Sequence, residues 1–355
     1  MKAWRLNGLG GELALKQVAE PVVRAGSVLV RIETSVLMSY LRAYVEKKLP
    51  AYNPPPGEFT LGTNAIGIIE QVGQDVWHLK RGQRVVLSSL LMARENVDEP
   101  NHILIALTSG AGGEQMLADW PDGTLAELAL YPVESVTPLD GLEHLDAARL
   151  AALPRCIVPF GGLLRARLAP GETVIINGAS GAYGAAAVMV ALAMGAGRIV
   201  AAGRDRDKLD VVARAAGERV TPVALKGDMT SDIAALKAAC TGGAHCALDM
   251  IGNARDPNAT LAVLHSLRRR GRMVAMGSMT CALPVPYMAL MLNSWELIGN
   301  FMYPADAYRR LIDLLRAGLL DLSPFQPQEY AFEALAEAMD RAARASSFEY
   351  IVVRP

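Results

Sequence analysis

Thr173-Val174-Ile175-Ile176-Asn177-Gly178-Ala179-Ser180-Gly181-Ala182-Tyr183-Gly184 decides how this chain is read. An apolar strand runs into a glycine turn, and the turn opens directly into an uncharged helix of small residues. Glycine permits a tight turn and a close backbone approach to a phosphate. The helix start then offers free N–H groups and the positive end of its dipole. The glycines fall as G-x-x-G-x-x-G, not as the commoner G-x-G-x-x-G. Their place between strand and helix is what a dinucleotide site requires. Gly178, Ser180, Gly181, Ala182, Tyr183 and Gly184 are therefore the expected pyrophosphate contacts. Residues 173–197 carry no charge and are long enough to cross a bilayer. Asn177 and the glycines at 178, 181, 184, 195 and 197 instead predict strand, turn and buried helix, with no membrane span.

Downstream the pattern alternates strand and helix. Arg198–Gly203, Cys246–Ile251 and Arg272–Gly277 read as strands and Lys208–Ala216 as a helix, which predicts a doubly wound parallel sheet. The end of the second strand selects the nucleotide. A carboxylate there would hold the ribose 2′-OH of NAD. Here Gly203 leaves room and Arg204 supplies a planar fork for a 2′-phosphate, with Lys208 close behind. The expected cofactor is NADPH. Asp205 complicates this: turned inward it opposes the phosphate or binds a 2′-OH, whereas as a cap it serves the next helix. Gly277, Ser278, Asn300, Phe301 and Met302 complete the expected nucleotide contacts.

Upstream the chain reads as short strands at Ser27–Thr34, Ala65–Gly73, Gln83–Leu87 and Gly123–Leu130, with a Gly-containing excursion over 88–122. Helices follow at Ala147–Leu153 and Phe160–Leu168. After Phe301 come helices at Ala305–Gly318 and Phe332–Ala345 and a strand at Tyr350–Val353, expected to return to the first domain. The expected division is 1–153 with 303–355, and 154–302. The 355 residues are 52% hydrophobic and 20% charged, enough for two cored domains. With 35 Lys+Arg against 36 Asp+Glu, no nucleic-acid partner is expected. Four cysteines without a C-x-x-C pair, and an N-terminus with no apolar signal core, fit a cytoplasmic protein. Arg268-Arg269-Arg270-Gly271-Arg272 reads as a solvated charge run, and the five histidines form no ligand spacing.

Three further segments carry a resemblance. Leu61-Gly62-Thr63-Asn64-Ala65-Ile66-Gly67 resembles G-H-E-x-x-G, Asp122-Gly123-Thr124-Leu125-Ala126-Glu127 resembles D-G-T-x-A-E, and Leu168-Ala169-Pro170-Gly171-Glu172-Thr173-Val174 resembles the entry to a cofactor domain. With the glycine loop, they make the whole chain similar to the medium-chain dehydrogenase/reductase superfamily. That resemblance implies an α/β protein with a GroES-like β-rich catalytic domain and a Rossmann domain. It also exposes departures. Leu37 stands at the position of the zinc-ligand Cys of the zinc-dependent alcohol dehydrogenases, Thr63 at that of the His and Asn64 at the adjoining Glu. The third ligand position falls near Leu153 or Pro154, with Cys156 displaced from it, and the 88–122 lobe lacks the four cysteines of a structural zinc. No metal is expected.

Without a Lewis acid, hydride transfer favours acceptors that already spread negative charge. The first expectation is therefore NADPH-dependent reduction of a quinone or activated alkene. The alternative is an NADP-dependent alcohol dehydrogenase or carbonyl reductase, and a third reading is a non-catalytic NADPH-binding protein. The substrate partner is a small electrophile: quinone, enone or carbonyl compound. The resemblance places Ser39 at the family's alcohol-relay hydroxyl and matches Tyr40 to the tyrosine of a quinone-reductase T-Y-I-R pattern. Tyr52, in the proline-rich loop 50–56, and Thr63 complete the candidate catalytic set. A homodimer is expected through the strand Arg272–Gly277 and the apolar segment Leu283–Leu292, where related proteins extend the sheet.

Overall fold

Every residue of the strand Thr173–Asn177 is buried. In the computed structural model, which describes all residues except Pro50 and Ser346, this strand lies inside a six-stranded sheet. The order is Val220–Ala224, Arg198–Gly203, Thr173–Asn177, Ala244–Asp249, Leu267–Ala275, Glu296–Gly299, and all five pairings are parallel. Parallel neighbours need crossovers, which helices provide. Those helices are Ala182–Ala193, Arg206–Ala216, Met229–Cys240, Asn258–Leu264 and Tyr287–Asn293. Acidic N-caps start two of them: Asp205 accepts from the Lys208 amide and Asp228 from the Ser231 amide.

The glycine turn is dictated by backbone contact. Gly178 sits at φ +86°, where a side chain is strained, and a Cβ on Gly184 would lie 2.1 Å from the Gly178 carbonyl oxygen. The helix Ala182–Ala193 therefore starts directly against the strand end, and only glycine fits at its third residue.

The other sheet is organised by the strand Ser27–Val36. It pairs antiparallel with Asn64–Val72, Leu128–Pro132 and the C-terminal strand Glu349–Arg354. Gln326–Ala331 lies parallel to that last strand, so the chain end does complete the first sheet. The excursion 88–122 holds a small sheet of Leu90–Met92, His102–Leu104 and Thr108–Ser109, and a helix, Glu114–Asp119. The strand expected from Gly123 begins only at Leu128. Residues 123–125 instead cross the turn at Gly62: a Cβ on Gly123 would lie 1.8 Å from the Gly62 oxygen, and the Trp4 amide donates to the Leu125 carbonyl at 2.9 Å.

Two compact units result. The first comprises Met1–Pro154, Phe325–Ala345 and Glu349–Pro355; the second includes Arg155–Pro324. The expected return to the first unit at 303 is therefore too early. Tyr303 packs onto Gly161, where a Cβ would meet the Tyr303 Cβ at 2.7 Å, and stacks edge-on with Tyr308 at 5.6 Å. These contacts keep the helix Ala307–Arg316 in the second unit.

The uncharged stretch 173–197 is strand, turn and helix, as its glycines predict. One helical run, 147–165, is long and apolar enough to cross a membrane, and 83% of its apolar window is buried inside the protein. Arg268, Arg269 and Arg270 are exposed, but they lie within the strand Leu267–Ala275 and not ahead of it.

Gly184→Ala should force the helix off the strand end and destabilise the protein by about 1–3 kcal/mol, the usual cost of overpacking. Gly110→Ala, whose Cβ would meet nothing within 4 Å, should leave the melting temperature unchanged. Thermal denaturation of both variants checks this.

Candidate functional site

In the second unit a cavity of about 520 Å³ opens at the carboxyl ends of the central strands. That is where open α/β sheets bind ligands. It is lined by the glycine loop, by Arg204 and by the segment from Met250 to Asp256. Gly178, Ser180 and Gly181 lie in its wall. Gly181 is the N-cap of the helix Ala182–Ala193, and no side chain caps that end. The first-turn amides of Ala182, Tyr183 and Gly184 thus belong to an uncapped helix start beside the cavity, the arrangement that receives phosphates.

Gly203 and Ser180 are brought together: a Cβ on Gly203 would sit 3.0 Å from Ser180 Oγ. Arg204 is exposed and lines the cavity. Asp205 acts as a helix cap, and the Lys208 amide bonded to its carboxylate holds its pKa below the ordinary aspartate value. Lys208, expected at the phosphate, is absent from the cavity lining, and its Nζ lies 3.5 Å from Asp205.

Beneath the loop lies a polar network that the sequence reading missed. Asp249, ending its strand, accepts from Thr260 Oγ1 at 2.6 Å, Asn177 Nδ2 at 3.2 Å and the Ile251 amide at 3.2 Å. Burial pushes the Asp249 carboxyl above its ordinary pKa, against the pull of these donors. Asn177 Oδ1 is buried without a donor from the protein. Two polar residues ending adjacent buried strands were the available signal.

Gly277 and Ser278 do not line the cavity; they hold its wall. A Cβ on Gly277 would lie 2.2 Å from the Ile251 oxygen. The Ser278 amide donates to that oxygen at 3.0 Å, and the Asn253 amide donates to the Ser278 carbonyl at 3.1 Å. Asn300, Phe301 and Met302 follow the edge strand, outside this lining. Asn300 Nδ2 donates to the Met302 carbonyl at 2.9 Å, Met302 adopts φ 57°, and Phe301 is 59% exposed.

In the first unit the candidate hydroxyls separate into two groups. Ser39 is exposed beyond the strand Ser27–Val36. Tyr40 and Tyr52 meet at 6.0 Å between ring centroids, and Tyr52 packs edge-on against Tyr44 at 5.6 Å. Tyr44 was missed, although it lies one helical turn after Tyr40. It is buried and donates to the Leu107 carbonyl at 2.8 Å, so it serves as an anchor. The loop carrying Tyr52 begins at Pro50, which lies outside the described residues. Thr63 is buried in the second group. Its Oγ1 accepts from Asn64 Nδ2 at 3.1 Å, and Asn64 Oδ1 accepts from the Ser89 amide at 3.2 Å. Ser35 and Thr124 share a hydroxyl–hydroxyl bond of 2.7 Å nearby, and Thr124 Oγ1 donates to the Asn64 carbonyl at 3.4 Å.

Zinc takes thiolate, imidazole and carboxylate ligands. At the positions where the family resemblance puts such ligands, Leu37 and Thr63 are both 1% exposed, and neither side chain is such a donor. Burial pushes the Cys156 thiol up to about 12. Among the described residues no three His, Cys, Asp or Glu side chains gather into a metal-holding group. The donor set does not fit zinc. A second cavity of about 520 Å³, between Arg5, Arg24, Trp120 and Asp122, includes none of the candidate residues.

Comparison with known proteins adds to this geometry. Residues 24–141 match the alcohol dehydrogenase GroES-like domain and residues 182–317 the zinc-binding dehydrogenase family. An alcohol dehydrogenase from Moraxella sp. is 29% identical, covering 90% of this chain and 89% of that protein. A sorbitol dehydrogenase from Bacillus subtilis is 26% identical, covering 93% and 90%. In fold the chain is similar to 2R,3R-butanediol dehydrogenase from Bacillus subtilis, with TM-score 0.82, 17% identity and coverage of 100% and 99%. It is also similar to a structure from Sinorhizobium meliloti, described as a zinc-binding dehydrogenase and bound to NADP, with TM-score 0.80, 18% identity and coverage of 100% and 99%. These relatives carry alcohol and polyol names, which favour the alcohol–carbonyl alternative over quinone or enone reduction.

The Asp249 network has a measurable signature. Its raised folded pKa means the native state holds the proton more tightly than the unfolded chain. Stability should therefore fall as pH rises from about 4, the unfolded aspartate value, through the raised folded value. Asp249→Asn should remove that slope, while Asp249→Ala, which leaves Asn177 and Thr260 unpaired, should cost about 1–3 kcal/mol. Denaturant unfolding at a series of pH values distinguishes them.

Proposed function

Given that the chain belongs to the medium-chain dehydrogenase/reductase superfamily, we propose that this oxidoreductase transfers hydride between NADP(H) and an alcohol–carbonyl pair without using zinc. The cradle at Gly178–Gly184, with Gly203 and Arg204 at the next strand end, carries the reading. It offers phosphate donors and a guanidinium where an NAD-binding site would place an acid. The relatives' names favour the alcohol–carbonyl substrate class.

The chain's own residues then do three things. The glycine loop and uncapped helix hold the pyrophosphate, and Arg204 pairs with the 2′-phosphate. Ser39, the exposed hydroxyl of the candidate set, hydrogen-bonds the substrate oxygen and passes the proton, with Tyr40 and Tyr52 shaping its surroundings. Leu37 and Thr63 stand at two of the metal-ligand positions, and Thr63 is closed off by its hydrogen bond from Asn64. A hydroxyl polarises a carbonyl less than a metal ion does, so aldehydes and activated ketones are the favoured acceptors. This same weakness favours a second reading, the reduction of quinones or enones.

Self-association and compartment complete the proposal. Glu296–Gly299 is the edge strand of the parallel sheet. The helix Tyr287–Asn293 before it buries no residue. Tyr287, Met288, Met291 and Leu292 are 52–75% exposed. An apolar face beside an open edge suits a homodimer. The edge is this strand and not Arg272–Gly277, which is paired on both sides. All four cysteines are free, in keeping with the cytoplasm.

Arg204→Ala should lower the ratio of kcat/KM for NADPH over NADH at least about tenfold, and Gly203→Asp should move preference further toward NADH. Steady-state kinetics check both. If the wild type prefers NADH, the cofactor assignment fails.

Purified protein should contain well under one zinc per chain and keep its carbonyl reductase activity in EDTA. One tightly bound zinc per chain would overturn the metal-independent reading, and turnover of quinones or enones alone would establish the second.

Sedimentation at micromolar concentration should show a dimer that Met288→Glu with Leu292→Glu converts to monomer. A wild-type monomer there would contradict the assembly.

A further inference from the structure

We propose that Arg255 is a second specificity-determining residue, binding the adenosine 2′-phosphate together with Arg204. This rests on the NADP(H) reading above. Arg204 follows the strand on one side of Thr173–Asn177, and Arg255 follows the strand on the other. Both residues line the same cavity, with Gly178, Ser180 and Gly181.

The charge balance of that cavity points to an anion. Among the described residues neither Arg204 nor Arg255 has an ion-pair partner, and both are exposed. The arginines of the other large cavity are already engaged. Arg5 pairs with Asp122 at 2.6 Å. Arg24 lies over the Trp120 ring at 3.9 Å and donates to the Asp119 carbonyl at 2.6 Å. Asp256 also lines the cavity, so its lining carries two arginines against one carboxylate, and the carboxylates near the arginines each hold a backbone amide. Asp205 caps its helix, and Asp256 Oδ1 accepts from the Asn258 amide at 3.1 Å. Lys208, the cation expected to share the phosphate, is held by Asp205. Two guanidinium groups in one concavity repel each other until an anion joins them.

The segment that carries Arg255 is also prepared for the task. The Ser278 amide donates to the Ile251 carbonyl at 3.0 Å, the Asn253 amide to the Ser278 carbonyl at 3.1 Å, and the Thr280 amide to the Ala254 carbonyl at 3.3 Å. Arg255 thus projects from a loop tied on its inner side to the next strand's end. A fork on a held backbone can engage a phosphate through paired hydrogen bonds, with less ordering on binding.

Titration calorimetry with 2′,5′-ADP and with 5′-AMP separates a 2′-phosphate contact from a pyrophosphate contact. It does so on wild type, Arg204→Ala, Arg255→Ala and Arg255→Lys. Arg255→Ala should weaken 2′,5′-ADP roughly tenfold or more and 5′-AMP less than about twofold, with Arg255→Lys between wild type and alanine. Equal weakening of both ligands, or no weakening of 2′,5′-ADP, would overturn the role of Arg255. If Arg204→Ala abolishes the preference for 2′,5′-ADP while Arg255→Ala keeps it, Arg255 alone is refuted. A wild-type protein that does not prefer 2′,5′-ADP would instead overturn the NADP(H) reading. Because Arg255 is exposed, its variants should melt with the wild type.

Discussion

The approach of two backbone segments, the carbonyl of Gly178 and the α-carbon of Gly184, is the constraint on which the nucleotide unit depends. With 2.1 Å between that oxygen and any added Cβ, the helix can start against the strand end only if residue 184 is glycine. This contact places an uncapped helix start at the end of a buried strand and opens the cavity beside it. A similar device recurs in the first unit, where Gly123 crosses the carbonyl of Gly62. There it joins the turn bearing Thr63 and Asn64 to the segment bearing Thr124. In both units a side chain excluded from one position lets backbone approach backbone, and polar groups gather around the crossing.

The parts of this structure that were legible in sequence are those where local pattern and tertiary role agree. Thr173–Asn177 and Arg198–Gly203 are apolar runs bounded by turn residues, and they are strands with the expected bounds. The strand Val220–Ala224 and the helices Met229–Cys240 and Asn258–Leu264 were not anticipated. Val220-Thr221-Pro222-Val223 carries a proline that argues against a strand, and the edge-ward position of that strand tolerates it. Gly123–Glu127 alternates like a strand but spends its hydrogen bonds on the Gly62 turn and the N-terminal sheet. Tyr303–Pro324 belongs to the second unit because Tyr303 packs on Gly161, a long-range contact that no local pattern records.

The candidate site was legible in the same uneven way. Gly203 and Arg204, singled out because a strand-end position has a known chemical meaning, do line the cavity beside the glycine loop. Lys208 was placed beside Arg204 on sequence proximity; in the structure it stands outside the cavity lining with its Nζ 3.5 Å from Asp205. Asp249 and Arg255 carry no local signal, because strand order is what sets them beside the glycine loop from the far side. The chemistry follows from the same placements. Arg204 and Arg255 line the cavity beside the glycine loop together with Asp256, while Leu37 and Thr63 stand where the resemblance puts two zinc ligands, and Thr63 accepts a hydrogen bond from Asn64. On the proposed reading, binding strength is concentrated on the cofactor and activation of the substrate is left to hydroxyl groups.

Deuterium tracing follows the hydride proposed to pass from NADPH to a carbonyl carbon. The protein is supplied with NADPH deuterated separately at each face of the nicotinamide C4 and with an enone that offers both a carbonyl carbon and an alkene carbon. The product is then examined by mass spectrometry and NMR. The account predicts deuterium from one face only, on the carbinol carbon of an allylic alcohol. Deuterium on the β-carbon of a saturated ketone would contradict carbonyl reduction, and an unlabelled product from both cofactors would contradict hydride transfer altogether.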